Sequence, residues 1–246
     1  MKKVQLLYVD MDGFFQSMDS EPVLSVHSIR KRTKYMRALL KINREVAQQS
    51  LVILKNISRI LSPYRDAQVM VETFRQFSIS KTHRNDPVVE EFLLNNPFYE
   101  DPRPDMFEQD TLAGLMKQLA IEINTLTPEI DDTQFSTWLD AGQSRASKHF
   151  NQVQSASGSE TVHAWRKKTK QAWYLLRYKH GEEISDPDHV IMKYDELGKL
   201  LGDVHDLDML LEFILSYFKK YPSQPMLQYR NEILAHALDR GRDIFS

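Results

Sequence analysis

The chain has no cysteine. That excludes disulfides, thiolate nucleophiles and cysteine-based metal sites. It has no apolar run near the roughly 18 residues needed to cross a bilayer. The N-terminal MKKVQLLYVDMDGFF offers no small-residue cleavage site and soon carries Asp10 and Asp12, so no signal peptide is expected. Acids are missing from two long stretches. Residues 27 to 44 hold seven Arg or Lys and no acid, and residues 163 to 179 hold six and no acid. The acids collect elsewhere: residues 86 to 132 hold twelve, against Arg103 and Lys117. A formal net charge of -2 therefore conceals a separation of sign. Segregated positive charge can focus a field on a polyanion even in a slightly acidic protein.

What is present is a repeat. VHSIRKRTKY starts at Val26 and VHAWRKKTKQ at Val162, an offset of 136. Further on, SRILSPYRDAQVMVETF from Ser58 aligns with GKLLGDVHDLDMLLEFI from Gly198, an offset of 140. The second alignment pairs Arg59 with Lys199, Arg65 with His205 and Asp66 with Asp206. Two matched elements in the same order signal an internal duplication. The 246 residues are thus read as one domain, 1–246, with an N-terminal lobe over 1–127 and a C-terminal lobe over 128–246.

Apolar periodicity is helical throughout. Val26, Ile29, Thr33, Met36 and Leu40 form one row in a stretch, 24 to 49, without Gly or Pro. A second row is Tyr35, Leu39, Ile42 and Val46. Further helices are expected over 51–61, from Pro63, over 66–77, 105–125, 133–154, 162–178, 189–201, 203–220 and 225–243. Pro63 is read as a helix start, Gly181 as a stop, and Pro128 and Pro187 as connection residues. The segment 80–104, rich in Pro, Asn and acids, reads as a long connection. The fold class is all-α: two pseudo-symmetric antiparallel helical bundles around a basic groove.

Arg30, Lys34, Arg37, Lys41 and Arg44 are spaced 3, 4, 3 and 4, so they share a helix face, with His27 starting the row. The row from Arg30 to Arg44 would span about 21 Å. In the second copy the row is His163, Arg166, Lys170, Trp173 and Arg177, with Trp173 as an apolar wall. Like charges at this spacing repel, and no acid within either stretch offsets them. A face made only for solubility would mix signs. Arginine forks and mobile lysines suit an extended phosphate chain. His27 and His163 precede basic clusters whose field opposes protonation; a bound phosphate chain would reverse that field. No carboxylates accompany them at metal-ligand spacing, so no metal, cofactor or catalytic residue is expected. Arg65 and His205 are placed where a turn becomes a helix, with Asp66 and Asp206 as helix caps or as groups orienting the basic residues.

The sequence resembles the CHAD family, the conserved-histidine α-helical domain. The resemblance lies in VHSIRKRTKYMRALLKINRE, LSPYRDAQVMVE, VHAWRKKTKQAWYLLRY and LGDVHDLDMLLE. It implies two helical bundles around a basic groove and non-catalytic binding of inorganic polyphosphate. It carries that role to His27, Arg30, Lys31, Lys34, Arg37 and Arg44, and to His163, Arg166, Lys167, Lys170 and Arg177. Arg65 and His205 are related candidates, and Lys41 is added from helical spacing. The acidic connection and sparser second stripe depart from a uniformly basic pattern and imply a lopsided groove. A cytoplasmic location is expected, with polyphosphate granules as one setting.

Two other readings compete. Nucleic-acid phosphates would satisfy the same basic face, although single-strand binders usually add exposed aromatic platforms. Trp165 and Tyr174 are expected to pack inside instead. A helical scaffold for a protein partner is the other. Asp10-Met11-Asp12-Gly13 is similar to the nucleophile loop of haloacid-dehalogenase phosphatases, but the βα core, lysine and second Asp pair of such an enzyme are missing. An N-terminal helix is expected there.

Overall fold

The computed structural model describes residues 2–79, 108–126, 131–181, 186, 189–217, 219 and 223–245. The expectations for the acidic connection over 80–104, for Pro128 and for Pro187 lie outside them. Among the described residues there are eight α-helices and no strand. They are α1 Lys2–Gln16, α2 Pro22–Leu40, α3 Gln48–Ile79, α4 Gln109–Thr125, α5 Asp132–Ser155, α6 Ser159–His180, α7 Val190–Tyr217 and α8 Gln224–Phe245. The fold is all-α, in two helical sub-bundles. One compact unit holds Met1–Gln68 and Asp101–Trp138; the other holds Val69–Glu100 and Leu139–Ser246. Helices α3 and α5 contribute to both. These units group residues by contact, whereas the lobes 1–127 and 128–246 are defined by the sequence repeat. No helix among the described residues is long and apolar enough to cross a membrane.

In the first unit, α1 buries Val4, Leu7 and Met11 at helical spacing and packs against α2 and α4. Asp10 and Asp12 stand in the middle of this helix, so the D-x-D-G stretch forms no nucleophile loop. Pro22 opens α2, where its missing N–H costs nothing. The expected row Val26, Ile29, Thr33, Met36 and Leu40 is buried throughout. The helix ends at Leu40, with Lys41 as its C-cap, rather than running to residue 49. The second row fails at its end: Val46 is 59% exposed.

In the second unit, α7 packs against both α6 and α8. Trp165 of α6 is wholly buried with Leu197, Leu201 and Val204 of α7 and Leu234 and Ala237 of α8. A further cluster joins Phe74 and Phe77 of α3 to Leu210, Ile214 and Met226. Gly181 ends α6 as expected, at φ 88, in the left-handed region where glycine is unstrained.

Two expected breaks are absent. Helix α3 runs unbroken through Pro63, and α7 runs unbroken through Gly202. Arg65, Asp66, His205 and Asp206 are therefore helix-interior residues, and neither Asp is an N-cap. Local propensity has been overridden by packing at both places. A proline inside a helix costs about 3 kcal/mol, yet Leu61 and Tyr64 on either side of it are completely buried. Burying such side chains contributes about 1.5–3 kcal/mol each. At Gly202 the lost helix propensity is only about 1 kcal/mol, against buried Leu201 and Val204.

Candidate functional site

The candidate residues of the first half that lie in helices sit on α2 and α3. His27, Arg30, Lys31, Lys34 and Arg37 project from α2; Arg65 projects from α3. The Arg30 guanidinium donates from Nη1 to the Ser58 carbonyl at 3.0 Å and to Ser62 Oγ at 2.7 Å. Its Nη2 lies 3.9 Å from Asp66 Oδ1. Arg30 thus ties α2 to the turn of α3 that precedes Pro63. Lys31 and Lys34 are exposed, and Arg37 is half-buried. Burial holds the His27 pKa below its ordinary value, followed in order by the charges of Arg65, Lys31, Lys34 and Arg30. The last two expected members of the row, Lys41 and Arg44, fall at and beyond the end of α2. A single straight row from Arg30 to Arg44 is therefore not formed.

The second half places His163, Arg166, Lys167, Lys170 and Arg177 on α6, and His205 on α7. The rings of His163 and His205 stack, with centroids 4.6 Å apart and planes 25° apart. His205 Nδ1 is 2.9 Å from Asp206 Oδ1. An ionised carboxylate can only accept, so His205 donates there from Nδ1. The His163 pKa is lowered to about 4, by burial first and then by His205, Lys167 and Arg166, against an opposing pull from Asp208.

The repeat alignment is visible in these contacts. His27 feels Arg65 most strongly among the charges around it, and His163 feels His205. Position 65 aligns with position 205. Likewise Arg30 meets Ser62, and its counterpart Arg166 lies over Gly202: a Cβ there would stand 3.9 Å from Arg166 Nε.

Carboxylates on neighbouring helices meet cations of the second half as they do in the first, where Arg32 Nη2 lies 3.5 Å from Asp10 Oδ2. Lys170 Nζ lies 3.9 Å from Asp195 Oδ1, and Lys199 Nζ lies 2.9 Å from Asp195 Oδ2. Lys170 also lies across Gly198 so closely that a Cβ there would be 2.8 Å from its Cε. Its ammonium stands 4.6 Å from the centre of the Trp173 ring, and the Arg177 guanidinium 4.9 Å. Trp173 thus has two cations over its ring. Burial and then Asp206 raise the Asp203 pKa, while Arg166 and Lys170 pull it down.

Sequence reasoning missed Asp195, Asp203, Asp208 and Arg230. Arg230 donates from Nε to Asp208 Oδ1 at 2.9 Å and from Nη2 to Asp208 Oδ2 at 3.2 Å. It also reaches the Ser157 carbonyl at 3.5 Å, just before α6 begins. The missed signal was a charge within an apolar row: Arg230 is buried in α8 with Met226, Leu234 and Ala237. No group of His, Asp or Glu among the described residues is arranged to hold a metal ion.

A family model described as the CHAD domain matches residues 16–215. No match was found to a curated protein or to a solved structure.

Proposed function

This chain belongs to the CHAD domain family, and we propose that it is a non-catalytic binder of inorganic polyphosphate. The observation that carries the reading is the duplicated acid-free basic stretch, on α2 and on α6, each beginning at a histidine whose pKa is lowered by burial and then by neighbouring charges. Phosphate oxygens would replace solvent and counterions along His27, Arg30, Lys31, Lys34, Arg37 and Arg65, and along His163, Arg166, Lys167, Lys170, Arg177 and His205. Lys41 and Arg44 extend the first set beyond the helix. The single basic groove and the pseudo-symmetry implied by the family resemblance belong to this proposal, as does a cytoplasmic site of action. Charge-assisted bonds to phosphate contribute about 1.5–3 kcal/mol each, so several in series can offset the ordering of a flexible chain.

Nucleic acid is the second reading, because backbone phosphates carry the same charge. Burial of Trp165, Trp173 and Tyr174, all under 10% exposed, disfavours it. Single-strand binders present such rings to bases. The test is binding of labelled long-chain polyphosphate at about 150 mM salt, where exposed charges are strongly screened. Single-stranded DNA, RNA and triphosphate compete in the same assay. Polyphosphate is expected to win; equal or better competition by nucleic acid would transfer the site to the second reading. Absence of binding to any polyanion would leave a helical interaction scaffold.

A further inference from the structure

The two halves part chemically where the repeat aligns Arg65 with His205. Beside His27 stands a guanidinium that stays charged at every working pH. Beside His163 stands a second imidazole, stacked on it at 4.6 Å. We infer that the His163–His205 pair is a proton-coupled element of the phosphate site: seating a phosphate chain on it draws a proton from solvent onto the pair. This inference rests on the polyphosphate reading above.

The surroundings define the sign. From α6, Arg166 and Lys167 face the pair; from α7, Asp206 and Asp208 do. From α8 comes Arg230, which engages both oxygens of Asp208. Asp206 accepts the His205 Nδ1 proton. Both nearby carboxylates are therefore already committed to hydrogen bonds, and burial, followed by His205, Lys167 and Arg166, disfavours a positive charge on His163. In the empty protein His163 is neutral at pH 7, since its pKa lies near 4. A phosphate chain beside Arg166 and Lys167 supplies the missing negative charge. Protonated His163 then becomes a donor to it, where neutral imidazole has one donor nitrogen at most. Two stacked imidazoles cannot readily both be charged, so the pair takes up on the order of one proton.

The experiment is calorimetric titration of the full chain with long-chain inorganic polyphosphate near pH 6, in two buffers of different ionisation enthalpy. The expected result is a buffer-dependent heat corresponding to uptake of about one proton, with affinity rising as pH falls by up to about tenfold per pH unit. His163→Asn and His205→Asn should each reduce the uptake. Identical heats in both buffers, or undiminished uptake in both variants, would overturn the inference while leaving polyphosphate binding in place. No binding at any pH would overturn the binding reading and the coupling with it. Should the variants not fold, NMR titration of the wild-type imidazoles reads the same event, and a His163 midpoint unmoved by polyphosphate would reject it.

Discussion

The α2 and α6 stripes start from nearly the same ten residues and end in different surroundings. On α2, Lys31 and Lys34 stand exposed, Arg30 is turned partly inward to Ser58, Ser62 and Asp66, and Arg32 lies 3.5 Å from Asp10 of α1. On α6, Lys170 is met by Asp195 and by the Trp173 ring, and Arg166 shares its field with Asp203. The repeated motif sets where cations project. The helices packed alongside set how much of that charge is left for a ligand. A sequence repeat is therefore not a functional repeat until its neighbours are known.

Charge reversal breaks the comparison most severely. Arg37→Glu combined with Arg166→Glu should weaken polyphosphate binding by about 3–6 kcal/mol, from two lost charge-assisted contacts, with helicity retained by circular dichroism. Of the single variants, Arg37→Glu should cost more, because Arg166 is already partly balanced by Asp203. Equal losses, or unchanged affinity in a folded double variant, would reject the assigned site.

Next comes the ion pair of the second half. The Asp208 and Arg230 side chains are only 14% and 11% exposed. Arg230→Met strands the carboxylate and should destabilise the chain by about 3 kcal/mol. Chemical denaturation measures it. The repeat puts Gln68 at the position of Asp208, so the first half has no equivalent ion pair to lose at that position. The smallest effect sharpens the comparison instead. Gly202→Ser makes the second half resemble the first, where Ser62 accepts from Arg30. The closest neighbour of the new Cβ is Arg166 at 3.9 Å, so it fits. Replacing a mid-helix glycine should raise stability by about 0.5 kcal/mol, read as a small increase in melting temperature. A decrease would show that Arg166 needs the open space.

Much of the fold was legible because burial follows period. Val26, Ile29, Thr33 and Met36 were read from spacing and are all completely buried. The alignment paired Arg65 with His205, but the stacking of His205 on His163 was not legible in it. Punctuation was misread where Pro63 and Gly202 suggested breaks, because a sequence shows the local cost of these residues and not the buried neighbours that outweigh it. The α2 row was extended too far for the converse reason. Ile42 kept the apolar pattern going after Leu40, although the helix had ended. The neutralising acids were illegible for a geometric reason. Asp195 lies 25 positions from Lys170 and meets it only because α6 and α7 pack side by side.

The seat of Lys170 has a consequence for selectivity by valency. Its ammonium already has an anion, Asp195, tethered within the same molecule at a fixed and high effective concentration. On the proposed polyphosphate reading, an incoming phosphate would have to displace that resident competitor rather than fill an open position. A ligand with few charges gains little from the exchange. A long chain anchored at other cations presents its next phosphate at a comparable local concentration and can compete on equal terms. Asp195 would then act as a discriminator of chain length, and its removal by Asp195→Asn should narrow the gap in affinity between triphosphate and long polyphosphate.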